Sequence, residues 1–422
     1  MTLAVLELND LALRIQREDG QLSTEPGFSL VTAQGIISGE EARALAWREP
    51  QHSYNQYWRQ LNQTPLPGKQ KLARHHADIA FAQLKHLHHH AGNPDQLILA
   101  VPGSFNNQQL SLLLGLVKAL PADVVAVVDS GLASCLQLQQ KTLFVDLLLH
   151  NTVLTLCGTD NGSMSVMSQE VIPDLGLLNL YNVVSRHISH LLVKSHRYDP
   201  LHTSESEQAI FDQIPGWLMQ LCWETEISAA LPSPQGELPF ILRRENLIHL
   251  ISERMESLQQ PLTQHREAAL LLSQGAAPAF SLLPQFSETP IAPSTICIDN
   301  CLKNKQAIVD ASSDLHRMTT LQHISHANPG ESVSTRQATH LLYQNSVYPL
   351  KKPVSIQLEN GQISLKMGMQ RNAQLTLILE NNEIKLLAQE NGLNVVLPQT
   401  VEPGETFSVD KHQLTLVEVT EN

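Results

Sequence analysis

Two acidic residues close apolar runs in this chain, and chemistry would start from them. Val124–Val128 is an apolar run that stops at Asp129-Ser130-Gly131, and Thr142–Asp146 is a second that ends on Asp146 itself. An aspartate at a strand end, then a turn and a returning strand (LFVDLLLHNTVLTLCG), has the layout of a phosphate-binding hairpin. His86, His88, His89 and His90 cluster, with His75 and His76 upstream. No acidic or cysteine partner lies at ligand spacing in the sequence, so these histidines read as a solvated helix face or a loop rather than a metal site. Cys135, Cys157, Cys222, Cys297 and Cys301 are scattered and odd in number. They read as reduced thiols in apolar settings, because the Cys297/Cys301 pair has no second pair to complete a zinc site.

The elements that must position Asp129 and Asp146 are legible. Leu97–Val101 is a short apolar run stopped by Pro102-Gly103, as a buried strand is. Ser104 and Asn106 can cap a helix that starts just after them. Leu110, Leu113, Leu114 and Val117 recur at helical spacing, with Leu112, Leu116 and Leu120 widening the stripe, so a helix buried on most sides is expected. Pro121 ends it. Strand, helix and strand of this length make a crossover unit, and Leu97–Val101 and Val124–Val128 should be parallel neighbours.

Composition bounds the rest. A chain of 422 residues should hold two or three domains, and 42% hydrophobic content supports full cores. There is no uninterrupted apolar run long enough for a transmembrane helix. Leu3–Leu8 has no basic flank and does not read as a signal peptide, so the cytoplasm of a bacterial-type cell is the expected location. A net charge of −13 argues against a nucleic-acid backbone as partner.

The combination VPGSFNNQQ…VVDSGLAS…LFVDLLLHNTVLTL resembles the ATPase domain of the DnaK-type heat-shock chaperones and, more widely, the actin-like superfamily. That family reads roughly VPAYFNDSQR…INEPTAAA…VYDLGGGTFDVS. Other stretches are similar in the same order. The opening LAVLELNDLALRIQREDGQ stands where the family has IGIDLGTTNSCVA, which places Glu7 at the family's Asp, Asn9 at a Gly and Asp10 at a Thr. Gly35–Gln63 brings the family's catalytic lysine near Arg59. PDLGLLNL resembles the DxxLGGxDFD segment, keeping Gly176 and replacing the second glycine by Leu177. Ser204–Ala229 is similar to two helices that carry adenine contacts in the family, Pro239–Leu247 to ITRxxFEEL, and Arg266–Phe286 to VxLVGGSTRIPxVxxLL with Gly275 kept beside Gln274.

The resemblance implies an α/β fold: a two-lobed actin-like ATPase domain of ribonuclease H-like repeats over residues 1–320. It also implies ATP and Mg²⁺ as ligands. Asp146, Asp129 and Glu7 would then be catalytic candidates, Glu7 and Asp146 would hold the metal, and Asn9, Asp10, Arg59, His150, Asn151, Gly176 and Gly275 would surround the nucleotide. The departures weigh against that chemistry. Phosphate hairpins need glycines, because only a missing β-carbon lets backbone N–H groups reach the phosphates. Here Leu147-Leu148-Leu149-His150-Asn151 replaces LGGGT, and three leucines require burial. Glu7 is a methylene longer than Asp, and Asp10 sets negative charge where phosphate oxygens would lie, a like-charge contact costing on the order of 1–4 kcal/mol at close range. Arg59 is open to two readings, a partial substitute for lysine or a surface arginine beside Trp58.

Ser312–Arg336 is polar, and residues 321–337 read as a linker. From 338 to 422 the pattern changes to short alternating runs (VSIQL, ISLKM, QLTLIL, QLTLVEV) separated by turns such as Glu359-Asn360-Gly361 and Glu402-Pro403-Gly404-Glu405, the pattern of a small all-β sandwich. VEPGETFSVDKHQLTLVEV resembles the close of a forkhead-associated domain, but the Arg, Ser and His pattern that reads phosphothreonine is not visible. Met367–Arg371 is the one candidate, in the wrong order.

The expectation is therefore a divergent DnaK-like protein that acts as a non-catalytic scaffold through protein partners, with no cofactor required. The alternative is an active ATP-binding chaperone-like ATPase with rearranged phosphate loops. The Val333–Gln337 stretch lacks the apolar linker of peptide-binding chaperones, and no helical lid is expected after the β domain.

Overall fold

The computed structural model describes residues 2–66, 72–160, 162–234, 236–312, 315–322, 338–343, 346–359, 362–370, 373–380, 383–389, 395–396, 401, 405–409 and 412–418. Most of the expected linker, the turns at 360–361 and 402–404, and Arg371 lie outside them. The chain is mixed α/β and divides into two compact units, Met1–Ser325 and His326–Asn422.

Two sheets build the first unit. One has strands β1 (Leu3–Glu7), β2 (Leu13–Arg17), β3 (Leu22–Glu25), β7 (Gln96–Val101), β8 (Asp123–Asp129) and β15 (Arg317–Met318), in the order β15-β8-β7-β1-β2-β3. The other has β9 (Thr142–Leu147), β10 (Asn151–Asp160), β11 (Ser163–Pro173), β14 (Ala269–Leu272) and β16 (Thr320–Gln322), ordered β14-β9-β10-β11-β16. A small sheet of β4 (Ser29–Val31), β5 (Ile36–Ser38) and β6 (Ser53–Tyr54), with the short helix α1 (Glu40–Arg43) after β5, and a hairpin of β12 (Glu226–Ser233) and β13 (Gly236–Arg243) complete it.

β1 is buried along its whole length because its sheet is covered on both faces. Alternation then sorts its side chains. Ala4 and Leu6 join the core that holds Ile79, Leu84 and Leu87 of α2 (His76–His90) and Leu113 and Val117 of α3 (Asn107–Val117). Leu3 and Val5 point the other way, onto Leu132 of α4 (Ser130–Cys135) and Cys297 and Ile298 of the helix Ile296–Lys303. β9 divides in the same manner. Phe144 shares that central core, whereas Leu143, Val145 and Leu147 face α5 (Leu177–His196) and α6 (Ser204–Trp223). The central core is thus common to both sheets.

The crossover β7–α3–β8 is present, with β7 and β8 parallel and Val101 level with Asp129. Asn106 caps α3 in a reciprocal capping box with Gln109. Two expectations change. α3 buries Leu113 and Val117 fully while Leu112 and Leu116 stay on the partly exposed side, so the helix lies on the sheet rather than inside a core. Residues 204–229 form one helix and the start of a strand rather than two helices. α6 runs through Pro215 to Trp223, and β12 comes next because its alternating buried residues pair with β13.

In the second unit the described elements are all strands, in two sheets. One orders Ser346–Pro349, His340–Tyr343, His412–Val417, Thr406–Val409 and Val395–Val396; the other orders Gln362–Met367, Val354–Glu359, Leu375–Glu380 and Glu383–Gln389. Leu341, Leu414 and Leu416 from the first and Val354, Ile356, Leu375 and Leu377 from the second share one core. Among the described residues no helix is long and apolar enough to cross a membrane.

Candidate functional site

The adjoining ends of β1 and β9 bring Glu7, Asn9 and Asp146 to one pocket, which Gly275 also lines. The antiparallel register of β1 and β2 sets Glu7 opposite Arg14, and the Arg14 guanidinium donates to Glu7 Oε2 at 3.3 Å. Beyond β1 the chain turns. Asn9 Oδ1 accepts the Leu11 amide at 2.9 Å, which closes the turn locally, and its Nδ2 donates to Asp146 Oδ1 at 3.0 Å. Asp10, next in the turn, is buried and accepts the Leu149 amide on Oδ1 at 2.8 Å.

Burial dominates the electrostatics. It pushes the Asp146 carboxyl up to about 8, and the neighbouring Glu7 charge adds to the rise. Burial also pushes Asp10 up to about 6, against the opposing pull of the Leu149 amide and the Arg59 charge. Glu7 is raised by burial and held back by Arg14. Three acids therefore share this corner with Arg14 as the cation in direct contact.

The space between Glu7 and Asp146 is small. The pocket measures about 30 Å³, room for a water or two, and is an order of magnitude below the ~300–1,000 Å³ usual for small-molecule sites. The hairpin that should cradle phosphate is closed by the chain itself. Leu147 N–H donates to Ser273 Oγ at 3.1 Å, Leu148 N–H to the Asn151 carbonyl at 2.9 Å, and Leu149 N–H to Asp10. All three leucine side chains are buried. The first amides of α5, which as helix-terminal N–H groups would suit an anion, donate instead to the Leu148 and Leu149 carbonyls at 3.0 and 3.1 Å.

Both glycines that the resemblance assigns to nucleotide are covered. A β-carbon on Gly176 would lie 2.3 Å from His150 Cα, so this glycine permits two backbone segments to touch. A β-carbon on Gly275 would meet Leu11 Cδ2 at 2.1 Å. His150 is buried and its Nε2 bonds the Asn55 carbonyl at 2.8 Å; burial lowers its pKa, so a neutral ring donates there. Asn151 is buried at the start of β10 and uses its carbonyl to close the hairpin.

Of the expected site residues, Asp10, Arg59, Asp129, His150, Asn151 and Gly176 do not line that pocket. Asp129 caps α4 through the Leu132 amide at 3.1 Å and accepts Gln169 Nε2 on its other oxygen at 3.0 Å, with Arg317 3.8 Å away. Arg59 pairs with Asp174 at 3.1 Å and lines a separate open cleft. Its neighbour Trp58 is buried and donates to Gln83. In this arrangement the hairpin amides are used, both glycines are covered and the pocket is small. Arg14, Ser273 and Leu11 were not singled out from sequence. Arg14 had a legible signal, since a hairpin turning at Asn9-Asp10 places it across from Glu7.

Compared with known families and curated proteins, the sequence matches no family model and no curated protein.

Proposed function

We propose that this chain is a divergent, non-catalytic member of the actin-like class, related in plan to the DnaK-type ATPase domain, and that it works as a scaffold through protein contacts. One observation carries the reading: the Asp10 carboxylate occupies the Leu149 amide, so the hairpin carries its own anion where the resembling family binds phosphate. The two sheets with a shared core support the two-lobed plan. The second unit, whose described elements are all strands, supports a small β-sandwich, similar to a forkhead-associated domain, as the module that docks a protein partner. The cytoplasm is the proposed location.

Calorimetric titration of Mg-ATP and Mg-ADP into the full chain, with Asp146→Ala alongside, tests this. No heat at high micromolar nucleotide is the expected result. Saturable binding that Asp146→Ala removes overturns the scaffold reading in favour of an ATPase with rearranged loops.

A further inference from the structure

The acidic partner that the histidine cluster lacks in sequence arrives through the fold. α2 places His86 and His90 four residues apart, on one face of its last two turns. β3 ends on Glu25, 61 residues earlier in the chain than His86, and its Oε1 meets His86 Nδ1. One donor atom from each of Glu25, His86 and His90 lies within 4.8 Å of the others. The two imidazole rings are 4.0 Å apart between centroids.

We propose that Glu25, His86 and His90 form a binding site for a divalent transition-metal ion of the zinc type. The chemistry of the donors suits that class, with two imidazole nitrogens and one carboxylate oxygen leaving a fourth position for water. The carboxylate is preorganised. Glu25 is buried, and its second oxygen accepts Gln83 Nε2 at 3.2 Å. Gln83 is fully buried and is itself fixed, donating to the Pro26 carbonyl at 2.9 Å and accepting from Trp58 Nε1 at 2.9 Å and from the Tyr57 hydroxyl. Such outer-shell support is what orients a metal-binding carboxylate. Gly39, at φ +81°, completes the wall, since a β-carbon there would stand 3.1 Å from the Glu25 carboxyl carbon.

The histidines supply the adjustable side of the site. His86 and His90 are exposed, so their rings can move without repacking a core. Metal entry exchanges the His86–Glu25 hydrogen bond for a bridge through the ion, opening the N···O separation to about 3.3 Å for bonds of about 2.0–2.2 Å. His90 lies in the last helical turn, where the helix dipole also favours a cation. His88 belongs to another role: it is buried and its Nε2 bonds the Pro94 carbonyl at 3.0 Å. The ion would pin β3 to the end of α2 and needs nothing from the nucleotide-like corner.

Titration of ZnCl₂ into the full chain, followed by calorimetry and by metal content after dialysis, tests the site. Saturable uptake is expected, weakened about tenfold or more by His90→Ala and by His86→Ala and unchanged by His89→Ala, whose side chain lies on the same turn outside the triad. Cobalt substitution adds a readout that folding defects do not mimic: visible absorption bands of a nitrogen- and oxygen-coordinated ion, absent in His90→Ala. Absence of saturable uptake at high micromolar zinc overturns the proposal. So does uptake that both histidine variants leave intact, or that His89→Ala reduces as much as His90→Ala.

Discussion

The Asp10 carboxylate accepts the Leu149 amide hydrogen at 2.8 Å across 139 residues of chain. This bond joins the first turn of the protein to the hairpin between β9 and β10, and it satisfies an amide that would otherwise be buried without a partner. Asp10→Ala should cost about 1–3 kcal/mol, the penalty for orphaning such a group, whereas Asp10→Asn keeps an acceptor and should cost clearly less. Urea unfolding of the two variants checks the difference. Equal losses would mean that packing of the side chain matters more than the bond.

The raised acids give the fold a pH dependence of defined sign. An acid with a higher pKa in the folded state binds more protons folded than unfolded, so its contribution to stability is fully present below its ordinary value and is lost as pH rises through the folded value. For Asp10 the window runs from 3.8 to about 6, and for Asp146 from 3.8 to about 8. Each group contributes a slope of at most about 1.4 kcal/mol per pH unit within its window. Between pH 6 and 8 Asp146 is still inside its window while Asp10 has passed the end of its own, so Asp146→Asn should reduce the slope there. Urea midpoints measured across that range decide the matter; an unchanged slope in the variant would assign the dependence to other groups.

Arg14 balances Glu7 in the same corner. Arg14→Met leaves a buried carboxylate without its cation and should cost about 3–5 kcal/mol, while the double variant Arg14→Met/Glu7→Gln should regain much of that loss. A double-mutant cycle in urea measures the coupling. A double variant no better than Arg14→Met would show that the arginine acts through its stem and not its charge.

Two glycines should respond in opposite directions. Gly176→Ala drives a methyl group into the His150 backbone, which cannot yield as a side-chain tip can, and should cost about 3 kcal/mol or more. Gly115 lies inside α3 with open space around it, so Gly115→Ala should stabilise by about 0.5–1 kcal/mol. Thermal melts of both variants check the signs.

Side-chain type and local period were enough to read the β7–α3–β8 crossover, because an apolar run, a capping asparagine and a helical repeat of leucines are all contained in one stretch. They also foretold that Leu147–Leu149 would be buried, since no hairpin tip exposes three leucines at low cost. The family resemblance misread residues 204–229, where the strand Glu226–Ser233 owes its form to a pairing strand later in the chain, and the local period overstated the burial of α3, whose exposed side is set by the sheet beneath it. The fold alone decided which polar groups meet. Asp10 with Leu149, Asp129 with Gln169, and Glu25 with His86 are pairs drawn from different elements, and each depends on strand order and twist that no local pattern encodes. Sequence determined which groups had to be buried or could carry charge; tertiary structure assigned their partners, because a hydrogen bond is made by distance in space and not by distance along the chain.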